Sequence, residues 1–157
     1  MALSDIRARL KQILEGIAGI GLVYDYERWA ADWKTLLDTY KDPASGTLRA
    51  WTITREAAPE EVWTTGGLSG QNLRTHTMVI RGYRALDDSA ASEKGLQDTV
   101  EAVCVELRKD PSLTALGTSV LGTSGPPQVR TVGHVLLGDV LCHYVEIAYP
   151  AVEPVTR

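Results

Sequence analysis

The spacing of apolar positions changes several times along the chain, and each change marks a structural element. Ile6, Leu10, Ile13, Leu14 and Ile17 recur at helical spacing, which predicts a helix over 4–18 with Ser4 as its cap. Gly16, Gly19 and Gly21 end it, because glycine readily takes the left-handed conformation that follows a helix. Residues 22–26 read as a short strand. Trp29, Trp33, Leu36, Leu37 and Tyr40 then fall at i, i+4, i+7, i+8 and i+11, a second helical stripe that stops before Asp42-Pro43. Over 47–55 the period drops to two. Leu48, Ala50, Thr52 and Thr54 face one way, and Arg49, Trp51, Ile53 and Arg55 the other.

A second extended run covers about 73–83. Between the two lies 56–72, with Pro59, Gly66, Gly67 and Gly70, a loop of a length that is usually functional or mobile. A third helix is capped by Asp88 or Ser89, carries the stripe Leu96, Val100, Val103, Cys104 and Leu107, and closes at Asp110-Pro111. Residues 113–127 are rich in Gly, Ser and Thr, with Gly-Thr-Ser at 117–119 and again at 122–124, too little to call a repeat. The chain closes on a hairpin, 129–137 and 140–149, around a two-residue turn at Gly138-Asp139. Pro150 and Pro154 suggest that 151–157 is a flexible tail.

This order predicts one α+β domain over 1–150, a four- to five-stranded mixed or antiparallel sheet with helices packed on one face. On the last strand Leu141, Val145 and Ile147 share a side with His143, and Cys142, Tyr144, Glu146 and Ala148 share the opposite side. One sheet face is therefore expected to be core. The other is expected to be half-polar, and either solvated or set against a neighbouring subunit.

Composition narrows the functional classes. The 157 residues (17.1 kDa) are 44% hydrophobic and 23% charged, as in ordinary globular domains. A net charge of −4 and a pI near 5.4 argue against a protein built to grip nucleic-acid phosphates, though not against one that DNA merely passes. No run approaches the roughly 20 apolar residues of a membrane span, and the first residues lack a secretory signal core. Cys104 and Cys142 lie in apolar segments and are expected to be buried free thiols. Phe is absent, so Trp29, Trp33, Trp51 and Trp63 are expected to supply most of the large aromatic volume.

Catalytic patterns are weak. His76, His134 and His143 sit on predicted strands without metal-ligand spacing, and adjacent Cys142 and His143 point to opposite faces. Cys104 lies on an apolar helix stripe, where a thiol is poorly reactive. Residues 117–127 lack the Gly-Lys-Ser/Thr ending of a phosphate cradle, and 16–21 lack the dinucleotide glycine spacing. Asp87-Asp88 is better read as a helix cap than as an acid pair. No catalytic, cofactor-binding or metal-binding residue is assigned. Surface chemistry stands out instead: Trp63 in mid-loop, and Arg74, Arg81, Tyr83 and Arg84 in or beside one extended run. Trp, Tyr and Arg are the side chains that dominate interface energetics, which makes these five the interface candidates. The alternatives are that Trp63 folds back on its own domain and that the arginines form a solvated edge that discourages strand pairing.

Three blocks, 23–29 (Val-Tyr-Asp-Tyr-Glu-Arg-Trp), 78–88 (Met-Val-Ile-Arg-Gly-Tyr-Arg-Ala-Leu-Asp-Asp) and 140–147 (Val-Leu-Cys-His-Tyr-Val-Glu-Ile), together resemble the tail terminator, or tail completion, proteins of long-tailed bacteriophages and prophages. The resemblance implies an α+β subunit of a homo-hexameric ring on the head-proximal end of the tail tube. That ring stops tube growth and offers the head-attachment surface. It also implies contacts with the tail tube protein and a head-completion or neck protein, and a lumen through which DNA passes without specific binding. No cofactor, turnover or membrane is implied. The location would be the virion tail, after assembly in the host bacterial cytoplasm. Three alternatives stay open: a neck or head–tail connector protein, a small-molecule-binding regulatory domain, and an enzyme with a dispersed site around His76 or His143 and Glu146.

Overall fold

A computed structural model describes residues 2–64, 70–113 and 120–156. In chain order the elements are α1 (Ala2–Glu15), β1 (Leu22–Tyr24), α2 (Trp33–Tyr40), β2 (Arg49–Ala57), β3 (Glu60–Val62), β4 (Gln71–Ala85), a single 3-10 turn (Asp88–Ala90), α3 (Ser92–Lys109), β5 (Gly122–Thr123), β6 (Gln128–Leu137) and β7 (Val140–Thr156). The spine is the antiparallel pair β4–β7, in register from Gln71↔Thr156 to Ala85↔Cys142. On one flank of β4 lie β2 and, beyond its end, the short β3; β1 runs parallel outside β2. On the other flank of β7 lie β6 and the two-residue β5.

The α+β class is as expected, but among the described residues the sheet has seven strands rather than four or five. It is still only five strands wide, because β3 shares a flank with β2 and β5 shares one with β6. Each short strand exists because β4 or β7 outruns its main neighbour.

α1 and α3 cover one face of the sheet. Ile6, Leu10 and Leu14 from α1, and Leu96, Val100, Val103 and Leu107 from α3, bury against Trp51, Ile53, Met78, Ile80, Val145 and Ile147. Each such side chain stabilises by roughly 1.5–3 kcal/mol on burial. Trp51 lies flat because its cross-strand neighbour is Gly82, where a Cβ would stand 2.7 Å from the indole ring. Its Nε1–H donates to the Ile20 carbonyl at 3.1 Å.

The helices do not all share that face. α2 packs on the opposite side, its Leu36 and Tyr40 against Leu48, Ala50, Leu137 and Cys142. The small residues Ala50 and Cys142 leave room there for a short helix. α2 begins at Trp33 rather than Trp29, because the Asp32 carboxylate accepts the Thr35 N–H at 2.9 Å and caps it.

Two further expectations are corrected. Residues 151–156 are strand, not a flexible tail, and Ala151, Val152 and Glu153 are buried. Pro150 and Pro154 share the parity of Val152, whose carbonyl accepts from Leu121 N–H on the β5 side. The missing N–H groups of the prolines therefore face away from β4, and no β4–β7 bond is lost. Of the four tryptophans only Trp51 is buried, at 1% exposure; the others are about half exposed or more. Core aromatic volume comes from Trp51 and tyrosines instead.

The hairpin turn is as expected, with Leu137 opposite Val140 and Gly138 at φ 63°. Both cysteines are free and buried, and burial pushes the Cys142 thiol up to about 11. The Gly66-Gly67 part of the long loop and the Gly-Thr-Ser at 117–119 lie outside the described residues.

Candidate interaction surfaces

On the face opposite α1 and α3, β-strand alternation lines up Thr52 and Thr54 of β2, Arg81 and Tyr83 of β4, and Tyr144 and Glu146 of β7. Arg81 donates from Nη1 to Thr54 Oγ1 at 2.6 Å and from Nε to Glu146 Oε1 at 3.2 Å. The Tyr144 hydroxyl donates to the same carboxylate. That hydroxyl, ahead of Arg81, holds the Glu146 carboxyl below its ordinary range against the opposing effect of burial. Towards α2 the network passes into a row of ring contacts: Tyr144 to Tyr83 at 5.3 Å and tilted, Tyr83 to Tyr40 at 5.6 Å and stacked, Tyr40 to Tyr24 at 6.1 Å and tilted. Burial pushes Tyr40, Tyr83 and Tyr144 each up to about 12, so all three stay neutral donors. Farther along, β-bulges place Glu56 and Arg130 as the extra residues of β2 and β6. Their side chains meet at 2.6 Å, bridging over the two central strands.

The helix-covered face carries a different set at each end. At one end His76 is fully buried between Arg55 and Glu153, with Nδ1 3.4 Å from Arg55 Nη1 and Nε2 2.9 Å from Glu153 Oε1. Arg74 joins Glu153 at 3.2 Å and Glu60 at 2.5 Å. At the other end Ser92 Oγ lies 2.7 Å from His143 Nε2 and accepts the Asp87 N–H at 2.8 Å. A Ser–His contact of this kind can serve nucleophilic chemistry, but here both side chains are buried, and the pair ties the start of α3 to β7. Burial, helped by nearby His134, lowers the His143 pKa. His143 and Glu146 point to opposite faces, so the dispersed grouping suggested by the sequence does not converge. Among the described residues no three His, Cys, Asp or Glu side chains gather as a metal site needs.

The five interface candidates are thus distributed. Arg74 and Arg84 lie on the helix-covered face, ten residues apart on β4, which is about 33 Å at strand rise. Arg84 lies against Gly95 of α3, where a Cβ would meet its guanidinium at 2.5 Å. Arg81 and Tyr83 lie on the opposite face. Trp63 follows β3, half exposed, its N–H donating to the Gln71 carbonyl at 3.0 Å.

Sequence reasoning missed the most exposed aromatic surface. Trp29 is 71% and Trp33 53% exposed, although both fit a helical apolar stripe. The signal was Asp32: an acidic cap three residues before a threonine starts the helix at Trp33 and leaves Trp29 outside it. Exposed apolar side chains also line β6, where Val132 and Leu136 are exposed and Leu136 stands opposite the exposed Leu141 of β7.

No protein-family model matches the chain. No curated protein matches it either. Among solved structures it is similar to a chain described as "Virion of native gene transfer agent (GTA) particle". That similarity has a TM-score of 0.45 and 12% identity, covering 96% of this chain and 95% of the other. At such values a likeness fixes neither fold nor function.

Proposed function

We propose that this chain is a structural subunit of a phage-type tail. In this reading it assembles as a closed six-membered ring that caps the tail tube, stops its growth and offers the surface to which the head attaches, with DNA passing through the lumen. The assembly part of the reading rests on one observation, the exposed edge strand β6. This ten-residue strand pairs only with β7 among the described residues. Monomeric proteins blunt such an edge with charge, proline or short length. Here, past the bulge at Arg130, residues 131–137 carry no Lys, Arg, Asp, Glu or Pro, and Val132 and Leu136 are exposed. A closed ring needs head-to-tail contacts between unlike surfaces, and an apolar edge is one half of such a contact. The terminator assignment rests on the three sequence blocks. Two of them form the central pair β4–β7, with Ile80 opposite Ile147 and Tyr83 opposite Tyr144.

The test is molar mass by light scattering over a wide concentration range, with electron microscopy of any large species. Closed rings of six times the 17.1 kDa chain mass are expected, either alone or on added tail tube protein. Val132→Lys is expected to leave the fold intact and abolish rings, and Trp63→Ala and Arg81→Ala to weaken them. A stable dimer at every concentration would favour the regulatory ligand-binding alternative. A monomer that forms no ring on tube protein would overturn the proposal.

A further inference from the structure

The two exposed tryptophans border grooves whose chemistry suits a cationic side chain. Trp33, at the first position of α2, is shared by both. One groove of about 560 Å³ runs between α2 and the β6–β7 turn, lined by Trp33, Lys34, Leu37, Asp38, Gly138 and Asp139. The other, about 270 Å³, lies between Trp29 and Trp33. The indole of Trp33 lies against the turn backbone at Gly138. Gly138 sits so close that a Cβ there would stand 3.1 Å from the tryptophan's own Cβ, so the turn backbone supports it. Asp38 and Asp139 reach the same groove from two different elements. Neither carboxylate has a hydrogen bond or ion pair among the described residues. With Lys34 as the one cation of the lining, the groove carries a net negative charge beside an exposed aromatic face.

The molecule shows nearby what such a surface accepts. Just before Trp29 in the chain, Arg28 lays its guanidinium 4.9 Å from the centre of the Tyr24 ring and 5.4 Å from that of Tyr26. Tyr24, at the end of β1, and Tyr26, just after it, are thus covered by the chain's own arginine. Among the described residues no cation covers Trp29 or Trp33. Indole is the strongest of the aromatic faces for a cation, and two carboxylates lining the same groove strengthen that preference.

We propose that the Trp29–Trp33 surface with the Asp38–Asp139 groove is a docking site for a basic segment of a partner protein, seating a Lys or Arg side chain on Trp33 between the two carboxylates. The site lies on one chain and needs no second copy, so its test is independent of ring assembly.

The probe is a hexa-arginine peptide titrated calorimetrically into the full chain, with hexa-glutamate as control. Saturable one-to-one binding is expected for hexa-arginine only, and it should weaken as salt is raised from about 0.05 to 0.5 M. The double variant Asp38→Asn/Asp139→Asn, and separately Trp33→Ala, should each lower affinity by about tenfold or more. Glu101→Gln, an exposed carboxylate of α3 on the other face of the sheet, should leave it unchanged. Should Trp33→Ala not fold by circular dichroism, Trp29→Ala takes its place beside the double variant. Absence of saturable binding would overturn the proposal. So would equal affinity in the double variant, since the attraction would then be spread over an acidic surface rather than built into this groove.

Discussion

The two faces of the sheet are made from alternate residues of the same strands, and they cohere by different means. Ile53, Ile80 and Ile147 sit side by side under α1 and α3 on one face. One residue away on each strand, Thr54, Arg81 and Glu146 form a hydrogen-bonded chain on the other. The first face is stabilised by removing apolar area from water, which has no preferred direction and little dependence on charge. The second depends on geometry and protonation, and a buried polar atom there costs stability unless it finds a partner. Such a face suits contact surfaces, since it remains soluble when uncovered. Shape-filling substitutions should therefore dominate in the centre of the helix side, while polarity should dominate on the other.

The comparison can be broken most forcefully at Ile80. Ile80→Ala is expected to lower stability by about 2–5 kcal/mol in denaturant unfolding, as a large-to-small change in a fully buried position. A loss below 1 kcal/mol would mean that the helix side is not the main core. Next comes Gly82→Ala, where the new methyl meets the Trp51 ring; a loss of about 1–3 kcal/mol is expected from overpacking, read in the same assay. On the polar face the sign should reverse. Thr52 Oγ1 is buried without a hydrogen-bond partner among the described residues, so Thr52→Val should raise stability by about 1 kcal/mol.

Acid should separate the faces again. The native state holds the His143 pKa below its ordinary 6.5, so the neutral ring is favoured and its contribution is complete above that value. It fades as pH falls from 6.5 toward the folded value, because the unfolded chain takes up the proton first. Glu146 also has a lowered pKa, so its contribution is complete above the ordinary 4.5 and fades only at lower pH, through its folded value. Melting temperature against pH should then lose its mild-acid slope in His143→Gln and its strong-acid slope in Glu146→Gln. The smallest effect is expected at the solvent-exposed bridge, where Glu56→Gln should leave the melting temperature unchanged within error.

Much of the helix-covered face was legible in the chain. The stripes of α1 and α3 repeat at the period of an ideal helix, and Asp110-Pro111 ends α3 by local sterics that no tertiary contact overrides. The alternation over Ala50, Thr52 and Thr54 likewise foretold the half-polar face. What escaped was set at long range. β3 and β5 have no strand pattern of their own and exist only because β4 and β7 offer free backbone beside them. Pro150 and Pro154 read as chain breakers because sequence does not show which way a strand's N–H groups face. The four interface candidates of one extended run, Arg74, Arg81, Tyr83 and Arg84, shared a stretch of sequence but not a surface, since neighbours on a strand point apart. Trp33 matched a helical stripe equally well whether α2 began four residues earlier or at its actual cap.

Placing three of the four indoles at the surface also gives the chain a spectroscopic character. The folded protein's fluorescence is weighted towards water-exposed tryptophans, and only Trp51 emits from a dry site. Unfolding will therefore shift the emission maximum less than in a protein with a tryptophan core. Any partner that covers Trp29, Trp33 or Trp63 will move it to the blue, so the native chain carries its own optical readout of being bound.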